Sequence, residues 1–160
     1  MDIAVGMGEI EVAESPHLLM AVGVGSCMAV TLYTADTGIG GLAHIMLPHI
    51  EEAHNKSNPT MFADVAIGLV VDEVRRRDAG TEGIQAKMFG GANMFPGIIY
   101  SNSTMNVGNR NILAVREELE SRNIEIIAEE VGGHIGRTVL FDTRDGSVLV
   151  KTAHLGDRKY

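Results

Sequence analysis

The sequence predicts an α+β domain built in layers, because segments with strand pattern outnumber two segments with helical pattern and the two kinds are interspersed. We expect about eight strands and two helices. The chain has 160 residues, of which 45% are apolar and 21% charged, as in ordinary globular proteins. No repeat or long linker divides it, so we expect one domain over residues 1–160.

The first part of the chain has strand pattern interrupted by glycine. Residues 2–12 predict one short strand with a bend at two glycines. The apolar run Leu18–Thr34 predicts a buried strand, and Ile39–Leu47 predicts another. The segment between these runs has turn chemistry, which favours a hairpin that pairs them.

Two segments have helical period. The first begins with Asn58 and Pro59, which suit an N-cap and a first helical position, and Gly80 is expected to end it. The second helix is expected over Asn109–Arg122. The residues predicted to be buried are Phe62, Val65, Ala66, Leu69, Val70 and Val74 in the first helix, and Ile112, Val115 and Leu119 in the second.

The remaining segments predict strands separated by short turns. These strands are expected at Ile84–Phe89, Ile124–Glu130, Thr138–Asp142 and Ser147–Thr152. The last two are joined by a segment that contains Asp145-Gly146, a dipeptide that favours a two-residue hairpin turn.

Charge and cysteine content exclude several classes of protein. Lys and Arg total 13 and Asp and Glu total 21, so the net charge is −8, which argues against nucleic-acid binding. A single cysteine excludes an intrachain disulfide and a multi-cysteine zinc site. The first residues do not resemble a signal peptide, and no apolar stretch is long enough to insert into a membrane. We therefore expect a cytoplasmic protein.

Cys27 follows two glycines in the segment Gly23–Cys27. Glycine lets the backbone approach a substrate closely, and backbone N–H groups at Gly25, Ser26 and Cys27 suit the oxyanion of an acyl-transfer intermediate. The same pattern also fits an inert thiol, because free cysteine is among the most buried residue types.

His44 lies in the apolar run after Cys27, where an unpaired imidazole is costly. A two-residue turn at 35–36 or at 36–37 places the two side chains opposite or diagonal on one face, within about 5–8 Å. An odd-length turn places them on opposite faces. A histidine beside a thiol lowers the thiol pKa and acts as general base and then acid. A core histidine without catalytic role is the alternative.

Two other patterns are weak. His44, His49 and His54 recur every five residues, a spacing that does not bring ligands to one helix face, so we expect a solvated loop and no metal site. The segment from Gly23 begins like a dinucleotide fingerprint, but position 28 is methionine, so no nucleotide cofactor is expected.

Several segments resemble the CheD family of chemoreceptor glutamine deamidases, in matching order from about residue 3 to 152. The resemblance implies hydrolysis of glutamine side-chain amides on the cytoplasmic helices of chemotaxis receptors, with release of ammonia and without a cofactor. It also implies the CheC phosphatase as a partner. The segments are Gly23–Cys27, Gly41–Pro48, Lys87–Phe95, Val107–Asn111 and Gly132–Arg137.

The resemblance further implies the fold and the site residues. The fold would be a layered sandwich of two mixed β-sheets with helices packed outside, as in toxin-deamidase-like cysteine hydrolases. The catalytic cysteine and histidine of the family map to Cys27 and His44. The catalytic threonine of the family aligns with Ala21, which has no hydroxyl.

The alanine at position 21 leaves two hypotheses open. In the first, a backbone carbonyl, a water or Ser26 orients His44, and the protein remains a deamidase. In the second, it is a catalytically weak regulatory adaptor that binds the CheC phosphatase or receptors.

Overall fold

The computed structural model describes residues 2–78, 83–95 and 106–160. Within these ranges the chain forms ten strands and two α-helices. The strands are β1 Asp2–Ala4, β2 Ile10–Glu14, β3 Leu18–Val24, β4 Met28–Thr34, β5 Ile39–Ile45, β6 Gln85–Gly90, β7 Glu125–Val131, β8 Arg137–Asp142, β9 Val148–Thr152 and β10 Gly156–Lys159. The helices are α1 Ala63–Arg77 and α2 Val107–Ser121.

The strands form two five-stranded mixed sheets. The first sheet has the order β1-β3-β8-β9-β10 and is antiparallel except between β1 and β3. The second has the order β2-β5-β4-β6-β7 and is antiparallel except between β6 and β7. The predicted α+β architecture with two mixed sheets is therefore confirmed.

Buried apolar side chains form two layers. One layer lies between the two sheets, and the other lies between the second sheet and both helices. Consecutive residues of β5 alternate between these layers: Leu42 belongs to the first and Ala43 to the second. Because both faces of β5 are covered, all seven of its residues are buried.

Two segments predicted as single strands are each divided between the two sheets. Residues 2–12 contain β1 and most of β2, and residues 18–34 contain β3 and β4. The left-handed backbone of Gly8 (φ 79°) and Gly23 (φ 71°) redirects the chain near the two crossings. The prediction was wrong because an apolar run has the same pattern whether its strands share a sheet or not.

The two crossings begin at the same end of the first sheet, because β1 and β3 are parallel neighbours. Residues 5–9, the first crossing, lead from β1 to β2, and residues 25–27, the second crossing, lead from β3 to β4. Val5 and Cys27, which lie on these crossings, are both buried in the layer between the sheets.

The predicted hairpin between β4 and β5 is confirmed, but its turn is longer than expected. Thr34 pairs with Ile39, so four residues form the turn. The turn at Asp145-Gly146 was also predicted too short. Asp142 exchanges backbone hydrogen bonds with Ser147 and Gly146, which leaves a four-residue connection.

Helix α1 begins at Ala63 and not at Asn58. Pro59–Met61 form a 3-10 turn and Phe62 is extended, so the side chain of Asn58 does not cap the α-helix. Phe62 is buried and pairs with Leu47 in an isolated bridge, and this tertiary contact sets the start of the helix.

The buried face of α1 also differs from the prediction. Leu69 is 45% exposed, whereas Ile67 and Val71 are fully buried. Helix α1 packs against both β5 and α2, so its buried arc is shifted towards the second helix. The predicted helix end at Gly80 lies outside the described residues.

Helix α2 and strands β6 to β9 agree with the predicted positions to within two residues, whereas β10 was not predicted. Val115 and Leu119 are buried as predicted, and Ile112 is partly buried. In the part of the chain that the structure describes, no helix has the length and apolar composition needed to cross a bilayer.

Candidate active site

Cys27 lies at the end of the second crossing, immediately before β4, and is 8% exposed. Its carbonyl accepts a hydrogen bond from the N–H of Gly91 at 2.8 Å. The carbonyl of Gly25 accepts one from the N–H of Ala92 at 2.9 Å. The chain that follows β6 therefore fixes the backbone around the thiol.

His44 lies on β5 and is 1% exposed. Its Nδ1 atom is 3.0 Å from the carbonyl oxygen of Val5, and because a carbonyl only accepts, Nδ1 carries the proton of the neutral ring. The main chain of His44 is bonded to Gly8 and Glu9, so the first crossing holds both backbone and ring. Nε2 is buried and has no hydrogen-bond partner among the described residues.

Cys27 and His44 lie on the same face of the second sheet. Ala29 pairs directly with His44, and Cys27 is two residues before Ala29. Ala29 and Cys27 both belong to the layer between the sheets, so Cys27 is the diagonal neighbour of His44 on that face. The two residues that the sequence singled out therefore lie on one face of the second sheet.

Ala21 is fully buried in the same layer. The parallel pairing of β1 with β3 joins Ala4 to Met20, and the N–H of Val5 donates to the carbonyl of Met20 at 2.7 Å. If this register is continued by one residue, Val5 lies next to Ala21. The group that holds the ring of His44 is a backbone carbonyl, one of the three that the sequence left open.

Burial favours the neutral forms of both side chains. It raises the pKa of the Cys27 thiol above its usual value of 9.0, although the backbone N–H of Cys27 acts in the opposite direction. Burial lowers the pKa of His44 below 6.5, against smaller contributions from the Val5 carbonyl and Glu9. At neutral pH the resting pair is a thiol and a neutral imidazole.

The oxyanion prediction needs one correction, at Gly25. Its N–H donates to the carbonyl of Gly23 at 3.1 Å, so it is engaged within the turn. By contrast, no carbonyl among the described residues accepts from the backbone N–H of Ser26 or Cys27. Gly25 instead provides space, because a Cβ atom there would lie 3.2 Å from the sulfur of Met94.

A cavity of about 140 Å³ lies beside Ser26. Met94, Phe95 and the first turn of α2 line it. Met94 is 43% and Phe95 63% exposed, so this side of the second crossing offers apolar contacts to another molecule.

The described residues contain no group of three His, Cys, Asp or Glu side chains arranged to hold a metal ion. His44 is buried, whereas His49 is partly exposed and His54 is exposed. The three histidines therefore have different surroundings.

Comparison with known proteins identifies the family. The family model described as CheD chemotactic sensory transduction matches residues 46–152. The chain is 41% identical over 155 residues to a probable chemoreceptor glutamine deamidase CheD of Clostridium kluyveri, with 97% of this chain and 95% of the relative covered. The chain belongs to the CheD family.

A second CheD relative gives a similar match. It is the probable chemoreceptor glutamine deamidase CheD of Clostridium botulinum strain Hall, 40% identical over 158 residues, with 99% of this chain and 97% of the relative covered. The match to the CheD family model begins after Cys27 and His44, whereas both pairwise matches extend over nearly the whole chain.

Sequence analysis missed Gly90, on which the backbone of Cys27 depends in this CheD-family protein. Gly90 has φ 112°, and a Cβ atom there would lie 2.2 Å from the carbonyl oxygen of Cys27. We expect Gly90→Ala to displace the second crossing and lower the free energy of unfolding by about 2–5 kcal/mol, measured by urea denaturation.

Gly23→Ala is the matched control for Gly90→Ala. Gly23 also has positive φ, at 71°, but no heavy atom lies within 4 Å of a Cβ built there. Its replacement should cost only about 1–2 kcal/mol, from backbone strain alone. Equal losses in the two variants would show that contact with Cys27 is not what requires glycine at position 90.

Proposed function

We propose that this CheD-family protein hydrolyses the side-chain amides of selected glutamines in chemotaxis receptors, giving glutamate and ammonia. Both relatives are named probable chemoreceptor glutamine deamidases, which supports the substrate and the reaction class. The observation that carries the proposal is that Cys27 and His44 are both buried on one face of the second sheet, where the Val5 carbonyl holds Nδ1 of His44 and Nε2 has no partner among the described residues.

The first step is attack of the Cys27 sulfur on the carbonyl carbon of the glutamine side chain. Because burial keeps the thiol protonated at rest, Nε2 of His44 takes its proton as the carbon–sulfur bond forms. The Val5 carbonyl, which accepts from Nδ1, stabilises the imidazolium that results.

The carbonyl oxygen of the substrate becomes an oxyanion in this step. The backbone N–H groups of Ser26 and Cys27 are the donors that we assign to it, since the Gly25 amide is engaged. Such donors are fixed before the reaction, so they stabilise the developing charge without reorganising.

Collapse of the intermediate breaks the carbon–nitrogen bond. The imidazolium of His44 gives its proton to the leaving nitrogen, so ammonia departs and a thioester to Cys27 remains. Water then attacks the thioester with His44 as base, which yields glutamate and regenerates the thiol. No metal or organic cofactor takes part in this scheme.

The adaptor hypothesis depended on Ala21, which has no hydroxyl to orient His44. The carbonyl of Val5 accepts from the ring in its place, so the substitution does not leave the imidazole without an orienting group. This contact supports the enzyme hypothesis over the adaptor hypothesis.

Four further parts belong to the proposal: the fold kinship and the CheC partner rest on the family resemblance, and the single domain and the location rest on the sequence pattern. They are a domain that spans residues 1–160, kinship with toxin-deamidase-like cysteine hydrolases, binding of the CheC phosphatase, and action in the cytoplasm, where the receptor helices lie. The layer shared by the two sheets supports the single domain. The exposed side chains of Met94 and Phe95 support a protein partner close to the site.

Incubation of the purified protein with a soluble cytoplasmic receptor fragment tests the proposal. We expect ammonia to appear in step with conversion of a few glutamines to glutamate, mapped by tandem mass spectrometry. The matched control is the same fragment with those glutamines replaced by asparagine. Binding of the fragment without ammonia release would overturn the proposal and favour the adaptor.

A further inference from the structure

Asn111 is a fully buried polar residue on α2 that the mechanism above does not use. Its Nδ2 atom donates to the carbonyl of Ser26 at 2.9 Å and to the carbonyl of Met46 at 2.9 Å. Because both partners only accept, these two bonds fix the orientation of the amide. A buried side-chain amide that donates both of its hydrogens to backbone carbonyls links the two segments that carry those carbonyls.

The two carbonyls lie on either side of the candidate site. Ser26 precedes the nucleophile, and Met46 follows His44 by two residues. The ladder between β4 and β5 ends at the pair Met28–Ile45, so beyond it no strand pairing joins the second crossing to β5. Asn111 bridges the two chains at that point.

The bond to Ser26 also sets the direction of an oxyanion donor. The carbonyl of Ser26 and the N–H of Cys27 belong to one peptide plane, and in a trans peptide they point in opposite directions. With the carbonyl directed to α2, the N–H of Cys27 is directed away from the helix. The thiol of Cys27 lies on that side, in the layer between the sheets.

We propose that Asn111 is a positioning residue that aims the Cys27 N–H at the substrate oxyanion by holding the carbonyl of Ser26. The inference rests on the proposed function, since it concerns the same reaction. The site requires a neutral donor of two hydrogen bonds. An aspartate would face two carbonyls with acceptors only, and a leucine of similar size would make neither bond.

The test compares deamidation with alkylation of Cys27 in Asn111→Leu. Hydrolysis of the receptor glutamine forms an oxyanion, so kcat should fall about 100-fold with little change in KM. Alkylation by iodoacetamide uses the same sulfur but forms no oxyanion. Its rate in Asn111→Leu should therefore stay within about threefold of the wild-type rate at each pH. Asn111→Asp should behave in the same way and serves if the leucine variant does not fold.

Two variants provide controls. Val115→Ala removes buried volume from the same helix without touching the second crossing and should leave kcat unchanged. Asn111→Gln keeps both donor hydrogens on a longer side chain and should recover part of the lost kcat. A parallel fall of kcat and alkylation in Asn111→Leu, or an unchanged kcat, would overturn the proposal.

The amide resonance of Cys27 tests the same inference without turnover. In an NMR spectrum of the ¹⁵N-labelled protein this resonance should shift in Asn111→Leu and stay in place in Val115→Ala. An unshifted resonance would overturn the role of Asn111 even if deamidation is found. A wild-type protein that releases no ammonia would contradict the proposed function, while the resonance would still report on Asn111.

Discussion

Replacement of His44 by asparagine is expected to lower kcat for glutamine deamidation about 10³-fold and to leave the fold intact. An asparagine amide nitrogen takes a position close to Nδ1, so it can still donate to the Val5 carbonyl, whereas nothing replaces the base at Nε2. The comparison of kcat with thermal unfolding separates the two effects. Near-normal turnover in a folded His44→Asn protein would exclude His44 as the proton carrier.

The pH dependence of the wild-type protein also tests whether His44 is the base. Only neutral His44 accepts the thiol proton, and burial lowers its pKa, so kcat/KM should fall on the acid side with an apparent pKa below 6.5. The Cys27 pKa lies above 9.0, so thiol ionisation should not alter the profile near neutrality. The acid limb should be absent from the residual activity of His44→Asn. An acid limb above 6.5 would contradict this assignment.

The relation between Cys27 and His44 was predictable because it depends on the parity of one local turn. The sequence suggested two residues in the turn and the structure has four, but either even number puts both side chains on the same face. Strands β5 to β9 and helix α2 were predictable from apolar period for the same reason: the signals are local. The start of α1 was not, because it depends on the contact of Phe62 with Leu47.

The supporting groups of the site were not predictable from sequence, since each acts across a long stretch of chain. Val5 reaches His44 through its backbone, which carries no sequence signal, and only the parallel pairing of β1 with β3 brings it there. Asn111 stood in a segment of family resemblance, but its contact with Ser26 spans 85 residues. The division of residues 18–34 between two sheets was hidden because both strands are apolar.

Loss of the Cys27 sulfur should abolish turnover, because this sulfur is the atom that forms the covalent bond to the substrate in the proposed mechanism. Cys27→Ala removes only Sγ and keeps the backbone hydrogen bond of residue 27 to Gly91. The variant should therefore fold and still present the backbone N–H groups. Any residual rate would measure catalysis by these donors and by substrate binding alone.

The most direct test of the thioester is to trap it. Wild-type protein and Cys27→Ala are incubated with the receptor fragment and hydroxylamine, and the fragment is then analysed by tandem mass spectrometry. We predict that the wild type releases ammonia and converts target glutamines to both glutamate and the γ-hydroxamate, and that Cys27→Ala yields neither product. Ammonia release by Cys27→Ala at the wild-type rate would contradict the assignment of Cys27 as the nucleophile.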